Sequence, residues 1–411
     1  MSEWKEVSLS EMGKTITGKT PSSQYPEDFG DEMPFITPSD SFEKKYINKS
    51  DRFLSRSGSD RLKEKIISPN SIMVTCIGSA MGKVAQNSLS SVTNQQINSI
   101  IVNENFDSDY IYYLLKNNYA VLRNAASGST AIPILNKTDF DNLRFKVELN
   151  LNEQRKMVSI LSKIDDKIEI NNQINQELEA MAKTLYDYWF VQFDFPDQNG
   201  KPYKSSGGKM VYHPELKREI PEGWGVEKLS SILEIGRETI NPMKTPKEEF
   251  KYYSIPEYDV SGSFSHELGE TIKSNKFLVE KSDLLVSKLN PWFNRVVYNL
   301  EESAISSTEF IVWKTINRFE KNFLYQVATS EGFIEYCTRF ATGTSNSHKR
   351  VSPDIMVSFQ IPFEKTYIQK FGEITDSIRA QALQNNEQNQ ELTQLRDWLL
   401  PMLMNGQVKV E

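Results

Sequence analysis

The sequence predicts an α+β chain in tandem: two α+β domains separated by two long antiparallel coiled-coil helices, with a pseudo-twofold internal repeat. Three observations predict this. Asn171-Asn172-Gln173-Ile174-Asn175-Gln176-Glu177-Leu178 recurs as Asn385-Asn386-Glu387-Gln388-Asn389-Gln390-Glu391-Leu392, with six of eight positions identical at an offset of 214. Each copy lies in a long stretch of helical apolar spacing. Each stretch follows a region of short strand-like runs broken by turn residues. A period this long is too large for a solenoid and describes two copies of one module.

The expected boundaries are 1–150 for the first globular domain and 151–195 for the central helix. A linker and the second domain span 196–364, and the distal helix spans 365–411. In the first domain Ile72–Ile77 reads as a strand entering a glycine turn, and Asp109–Asn124 as a helix. The central helix is expected from about Asn152, as N-cap, to Phe190. At about 1.5 Å per residue this is a rod of roughly 58 Å. The run Asp194–Gly208, dense in Pro, Gly and Ser, reads as loop or linker. Strands are expected at Leu284–Lys288, Arg295–Tyr298 and Glu309–Thr315. The second helix is expected from about Tyr367 to Leu400, limited by Pro401.

Anchor residues extend the repeat into the globular parts. Trp4, Val7, Leu9 and Ser10 recur as Trp224, Val226, Leu229 and Ser230. Gly128-Ser129-Thr130 aligns with Gly343-Thr344-Ser345, Ile72-Met73-Val74 with Leu285-Val286-Ser287, and Thr93–Ile97 with Ser306–Phe310. In the helices a 4–3 series picks out Ile164, Ile168, Asn171, Asn175 and Leu178. The same register, 214 residues on, gives Ile378, Asn385, Asn389, Leu392 and Arg396. This is a coiled-coil seam with two polar layers, where asparagine fixes register. The alternative is a solvated Asn/Gln-rich face.

Length, 411 residues, and a composition of 38% hydrophobic and 25% charged residues describe ordinary folded domains. No apolar run is long enough for a membrane span, and the polar start does not read as a signal peptide. Two cysteines, Cys76 and Cys337, give no disulfide framework, so a cytoplasmic location is expected. The net charge of −7 weighs against nucleic acid as a partner.

Catalytic apparatus is not evident. The three histidines, His213, His266 and His348, are scattered, and no metal-ligand spacing is present. Gly78-Ser79-Ala80-Met81-Gly82-Lys83 is one residue short of a phosphate loop, and Val84 stands where Ser or Thr would hold magnesium. Asn290-Pro291-Trp292-Phe293 is similar to the Asn-Pro-Pro-Phe tetrad of amino-methyltransferases, but Trp292 replaces a proline and no cofactor loop accompanies it. Several turns combine small polar residues with cations, as in Thr17–Thr20, Lys288–Arg295 and Ser345–Arg350. Such turns suit phosphate approach and base-edge contact.

Taken together the chain resembles the DNA-specificity subunit of type I restriction-modification systems. The carriers are the tandem plan, Asn152-Glu153-Gln154-Arg155, Tyr186–Pro196, Pro221-Glu222-Gly223-Trp224 and Leu395–Gly406, with Thr93–Asn98 and Ser306–Phe310 inside the globular parts. The resemblance implies two target-recognition domains, each reading one half of an asymmetric bipartite site on double-stranded DNA. It implies helical regions that act as spacer and bind two methyltransferase subunits, with restriction subunits joining. It also implies a non-catalytic chain with no cofactor of its own: S-adenosylmethionine, ATP and Mg2+ belong to the partners. Half-sites one helical turn apart would lie about 34–36 Å from each other. The nominated DNA contacts are Lys19, Lys83, Gly128, Ser129, Thr130, Lys288, Asn290, Arg295, Gly343, Thr344, Ser345, Lys349 and Arg350. Competing readings are a coiled-coil adaptor that no longer reads DNA, and a chain with its own nuclease or methyltransferase site. The charge also divides unevenly: 151–195 carries −3 and 365–411 carries −1, leaving −1 on 1–150 and −2 on 196–364. Nearly neutral domains can hold a basic face, so weak DNA binding alone and tight binding with methyltransferase subunits is expected.

Overall fold

The structure is a computed structural model describing residues 3–410, except 41, 43, 48, 49, 79, 126–132 and 344–347. The chain divides into two compact units. The first comprises residues 1–172 and 386–411, the second residues 173–385. Each therefore takes one globular region and a part of both long helices.

Both units are built on the same antiparallel sheet. In the first, β1 (Gly13–Thr17), β2 (Ile72–Thr75), β3 (Val84–Asn87) and β4 (Ile97–Val102) stand in the order β1-β4-β2-β3, with Tyr46–Ile47 added parallel to β3 at the edge. In the second, β5 (Glu234–Gly236), β6 (Leu284–Ser287), β7 (Val296–Tyr298) and β8 (Phe310–Lys314) stand in the order β5-β8-β6-β7. A second five-stranded sheet in each unit contains one parallel pair, Met33–Ile36 with Ser91–Thr93 and Glu249–Tyr253 with Ala304–Ser306. These strands are short and rich in Ile, Val, Phe and Thr, side chains that suit a pleated, buried surface.

Register corrects one expected equivalence. Val74 pairs with Val84, and Val286 with Val296. Ile72 therefore corresponds to Leu284, not Leu285. A one-residue slip would turn every side chain to the opposite face of the sheet.

Two helices cover the sheets. The expected single helix 109–124 is two: α1 (Ser108–Asn117) and a short helix Tyr119–Asn124. Asn118 ends the first, its side-chain amide donating to the Leu114 carbonyl at 2.8 Å. The counterparts in the second unit are α3 (Arg318–Thr329) and α4 (Glu331–Phe340).

The long helices are α2 (Leu151–Tyr186) and α5 (Lys365–Met404). Asn150, not Asn152, caps α2, accepting the amides of Asn152 and Glu153 at 2.9 and 3.3 Å. The helix widens at Asp187–Val191, where the Gln192 amide reaches back five residues to the Asp187 carbonyl. Pro401 lies inside the last turn of α5 rather than ending it. The helix ends two residues before Gly406 (φ +68°), where a Cβ would meet the Trp4 ring at 2.7 Å. The first core takes Met157, Val158 and Leu161 from α2 with Leu400, Leu403 and Met404 from α5. The second takes Tyr186, Trp189 and Phe190 from α2 with Ile368 and Phe371 from α5.

The Pro/Gly/Ser-rich run after α2 is more ordered than its composition suggests. Asp194 accepts the Ser205 amide at 2.7 Å and hydroxyl at 2.6 Å. Asp197 accepts the amides of Asn199 and Lys201, both at 2.8 Å. Phe195 stacks between Trp224 and Tyr203, at 5.0 and 4.8 Å. Local side-chain-to-backbone bonds of this kind replace a ladder.

Candidate nucleic-acid interface

In each unit the hairpin following the second sheet strand and a late loop are tied together by the same backbone bonds. In the first unit the Cys76 amide donates to the Gln96 carbonyl (2.7 Å), Leu135 to Cys76 (2.9 Å) and Gly78 to Pro133 (3.2 Å). In the second, Lys288 donates to Glu309 (2.9 Å), Val351 to Lys288 (3.1 Å) and Asn290 to Lys349 (2.8 Å). Gly78 and Asn290 sit at the same place in this frame, and both have left-handed backbone, φ +81° and +48°. Thr75 and Lys83 close the first hairpin as Ser287 and Arg295 close the second.

The predicted residues distribute over this frame as follows. Lys19 is exposed in a turn whose amides donate to Thr93 (2.8 Å, Lys19) and Ile97 (3.2 Å, Gly18). Gly18 is required there, since a Cβ would lie 2.2 Å from the Thr93 and Asn94 carbonyls. Lys83 stands at the foot of the first hairpin. The Lys19 turn, the Lys83 hairpin and the segment at Leu135 thus gather around residues 93–98. Gly128, Ser129, Thr130, Thr344 and Ser345 lie outside the described residues. Gly343 permits a close chain approach, because a Cβ would meet the His348 carbonyl at 2.5 Å.

In the second unit Lys288, Asn290, Arg295, Gly343, Lys349 and Arg350 come together. Buried Asn290 clamps the late loop twice, its amide donating to the Lys349 carbonyl and its side-chain oxygen accepting the Lys349 amide at 3.0 Å. Arg295 holds Asp259 with two bonds, 2.6 and 2.7 Å, and lies 4.5 Å over the Phe293 ring. Arg350 holds Glu309 at 2.9 and 3.0 Å, which keeps its guanidinium above the usual range. These two arginines position loops through neighbouring carboxylates, a role their sequence context did not signal. Asp259 and Glu309 carry no motif.

Along the helices, Ile164, Asn171 and Asn385 are buried, and Ile168, Asn175, Leu178, Ile378, Asn389 and Leu392 are half-buried. Asn171 donates to Gln388 and Asn389, both 2.9 Å, and Asn389 donates to Asn172 at 2.9 Å. In the second unit Asn385 donates to Asn175 at 2.8 Å. Arg396 pairs with Asp165 at 2.9 Å and Arg379 with Glu179 at 2.8 Å. In these pairs the numbering rises in α2 as it falls in α5, so the helices run antiparallel. Arg396 already stood on the predicted seam. A cation at a seam position was the available signal for a buried ion pair.

Polar anchors fix the helices to the globular parts. In the first unit, buried Lys45 reaches Asp109 at 2.8 Å and the Ser162 hydroxyl at 3.1 Å. Burial raises the Asp109 carboxyl, but Lys45, Gln86 and Ser162 together hold it below the usual range. Tyr113 donates to Asp165 at 2.6 Å, and burial pushes that phenol far up. In the second unit Arg379 lies 4.0 Å over the Tyr325 ring. Buried Lys321 donates to the Lys281 carbonyl at 2.7 Å and to the Asn299 carbonyl, and desolvation pushes its ammonium down to about 7. Cys76 and Cys337 are buried thiols, both pushed up to about 12 by desolvation. Among the described residues no three His, Cys, Asp or Glu side chains gather as a metal site, and no helix is long and apolar enough to cross a membrane.

With this geometry in place, the similarities to known proteins are specific. Residues 1–180 match the family model of the type I restriction modification DNA specificity domain. The whole chain aligns at 27% identity with the type I restriction enzyme MjaIX specificity subunit of Methanocaldococcus jannaschii, covering 94% of it. Over 188 residues, 44% of this chain and 40% of the relative, it is 36% identical to the type I restriction enzyme HindI specificity subunit of Haemophilus influenzae. In fold it is similar to the crystal structure of a type I restriction-modification S subunit from M. genitalium, with a TM-score of 0.56 at 17% identity over 98% of this chain and 96% of that one.

Proposed function

We propose, from the match of residues 1–180 to the type I restriction modification DNA specificity domain, that the chain reads an asymmetric bipartite DNA site for a methylating and restricting complex. One half-site is read by each unit, through the loop pairs at residues 76–83 with 133–135 and 288–295 with 349–351. The observation that carries this reading is the frame of matching backbone bonds, present in both units and decorated differently in each. Equal frames place two contact surfaces alike. Unequal side chains make the two half-sites different.

The chain is a scaffold without chemistry of its own. Adenine methylation with S-adenosylmethionine belongs to two methyltransferase subunits, and ATP- and Mg2+-driven cleavage to restriction subunits. The helices supply the docking surface. Besides the paired seam, α2 exposes Ile170, Ile174, Met181 and Tyr188, and α5 exposes Ile374, Leu395 and Trp398. Apolar side chains exposed at heptad-like spacing suit partner helices. This surface and the acidic excess of 151–195 fit a protein partner better than a phosphate backbone.

The test is the methylome of cells carrying this chain with its methyltransferase, compared with a variant lengthened by one heptad in both helices, after Asn172 and after Asn385. Each insertion adds about 10.5 Å of helix, or roughly 3 base pairs at 3.4 Å per step. A two-part methylated motif is expected, with the same half-sites and a gap longer by that amount in the variant. An unchanged gap would overturn the spacer role. Absence of any methylated motif would overturn the whole reading.

A further inference from the structure

The loop at Asn290–Arg295 carries a feature that DNA reading by a shared frame does not require. Trp292 and Phe293 are adjacent, 38% and 58% exposed, with ring centroids 6.1 Å apart. Large apolar side chains gain free energy by leaving water, and a mobile loop would fold them down. This one is held up. Asn290 and Asn294 both have left-handed backbone, φ +48° and +50°, and bracket the pair. Asparagine takes this conformation more readily than most residues with a side chain, so the two corners turn the chain sharply on either side of the pair. Pro291 is buried and lines one small cavity with Phe333, Ile334 and Cys337 of the α4 region. Asn290 is clamped to Lys349, and Arg295 is fastened to Asp259 with its guanidinium over the Phe293 ring.

Among the described residues of the equivalent turn in the first unit no large apolar side chain is exposed. There Met81 is fully buried.

We propose that Trp292 and Phe293 form a rigid apolar wedge that enters a base step of the half-site read by the second unit, partly unstacking it. The proposal rests on the DNA-reading function above and deepens it. Apolar side chains inserted between bases kink a duplex and let more of it meet the protein. Duplex DNA is favoured over a protein occupant by the surrounding charge. Residues 286–295 and 342–351 contain Lys288, Arg295, Lys349, Arg350 and His348 and no carboxylate. Asp259 and Glu309, from neighbouring segments, take up the two arginines, leaving Lys288 and Lys349 as the uncompensated cations of the two segments among the described residues. The wedge therefore rises from a cationic base, as a phosphate-flanked target requires.

The experiment uses the complex of the full chain with its methyltransferase subunits, and duplexes carrying the mapped methylated motif. 2-Aminopurine is placed at successive positions through each half-site. The wild-type complex should raise fluorescence at one step in the second unit's half-site and not at the matching step of the other. Trp292→Ala with Phe293→Ala should abolish that rise and weaken specific binding by about ten- to a hundredfold, as loss of base–aromatic contact does. Trp292→Phe should retain both. Unchanged fluorescence and affinity in the double variant would overturn the wedge while leaving the DNA-reading function standing. Loss of methyltransferase binding in that variant, with no unstacking in the wild type, would reassign the pair to a protein contact and overturn it too. A wild-type complex without sequence-specific binding would instead sink the underlying function, and the wedge with it.

Discussion

The two units share a frame down to individual backbone bonds and differ in almost everything hung upon it. Gly78 and Asn290 occupy one left-handed corner, Lys83 and Arg295 one hairpin foot, and Leu135 and Val351 one strap. Yet the loops of the first unit, 74–83 and 126–135, carry one cation, Lys83, where those of the second carry four. The contrast continues at the anchors. Counting back eight residues from the last residue of α1 (Asn117) and of α3 (Thr329), position 109 falls opposite position 321. One is a buried-side carboxylate, Asp109, answered by Lys45; the other is a buried amine, Lys321, answered by carbonyl oxygens. Tyr113 gives its hydroxyl to Asp165, whereas Tyr325 offers its ring face to Arg379. A duplicated fold can therefore keep its geometry while reversing the sign of its internal charges, provided each site satisfies its own polar groups.

The sharpest way to break this comparison is to remove one answer and leave the other charge behind. Lys45→Ala strands the Asp109 carboxylate with the neutral donors Gln86, Ser162 and Tyr46. Truncating one member of a fully buried pair costs about 3–5 kcal/mol, and with Asp109 partly exposed the loss should be smaller, about 1–3 kcal/mol. The first unit's thermal transition should fall accordingly, while the second unit's transition stays put. Adding Asp109→Asn should return much of the loss, since the uncompensated charge is then gone. A Lys45→Ala protein that melts like the wild type would mean the anchor carries no stability.

The second prediction tests the reversed charge. Lys321 is held near 7 by burial, against an ordinary lysine value of 10.5. Between those values the unfolded chain keeps the proton and the folded unit has released it. The unfolded state binds more protons, so stability rises with pH from about 7 towards 10. Below about 7 both states hold the proton and this contribution to the slope vanishes. Lys321→Met should remove the rise, on the order of 3 kcal/mol over that window. Denaturant melts of both proteins at pH 7 and pH 9.5 measure it. A wild-type slope equal to that of the variant would show that Lys321 does not titrate there.

These anchors explain how much was legible beforehand. The helix pair was legible, because heptad spacing and the doubled Asn/Gln segment are local patterns that survive duplication. So were the three strands around Leu284, Val296 and Phe310, which announce themselves by apolar runs between turns. Pairings such as Lys45 with Asp109 were not, because they join residues distant in sequence and have no counterpart of like charge in the second copy. Alignment by identity passes over a position where Asp faces Lys. The slip at Ile72 has the same origin: apolar strands of equal character align equally well one residue out, and only cross-strand register decides. The run after α2 was misjudged because composition reports what a loop is made of, while Asp194 and Asp197 decide whether it is fixed.

The smallest expected effect is the most direct test that the two frames are the same. If Gly78 and Asn290 are one position, Gly78→Asn should be tolerated. Asparagine is among the few side-chain-bearing residues that enter the left-handed region readily. Among the described residues a Cβ at Gly78 meets no atom within 4 Å. The new side chain gains no clamp, because its neighbour across the loop is Pro133, which lacks the amide that Lys349 offers to Asn290. The variant should therefore lie within about 1 kcal/mol of the wild type, and its methylated motif should keep both halves. Gly78→Val, β-branched at the same φ, should cost clearly more. If asparagine is as damaging there as valine, the corner at Gly78 is held by something other than the geometry it shares with Asn290, and the correspondence between the two loop pairs fails at its most constrained point.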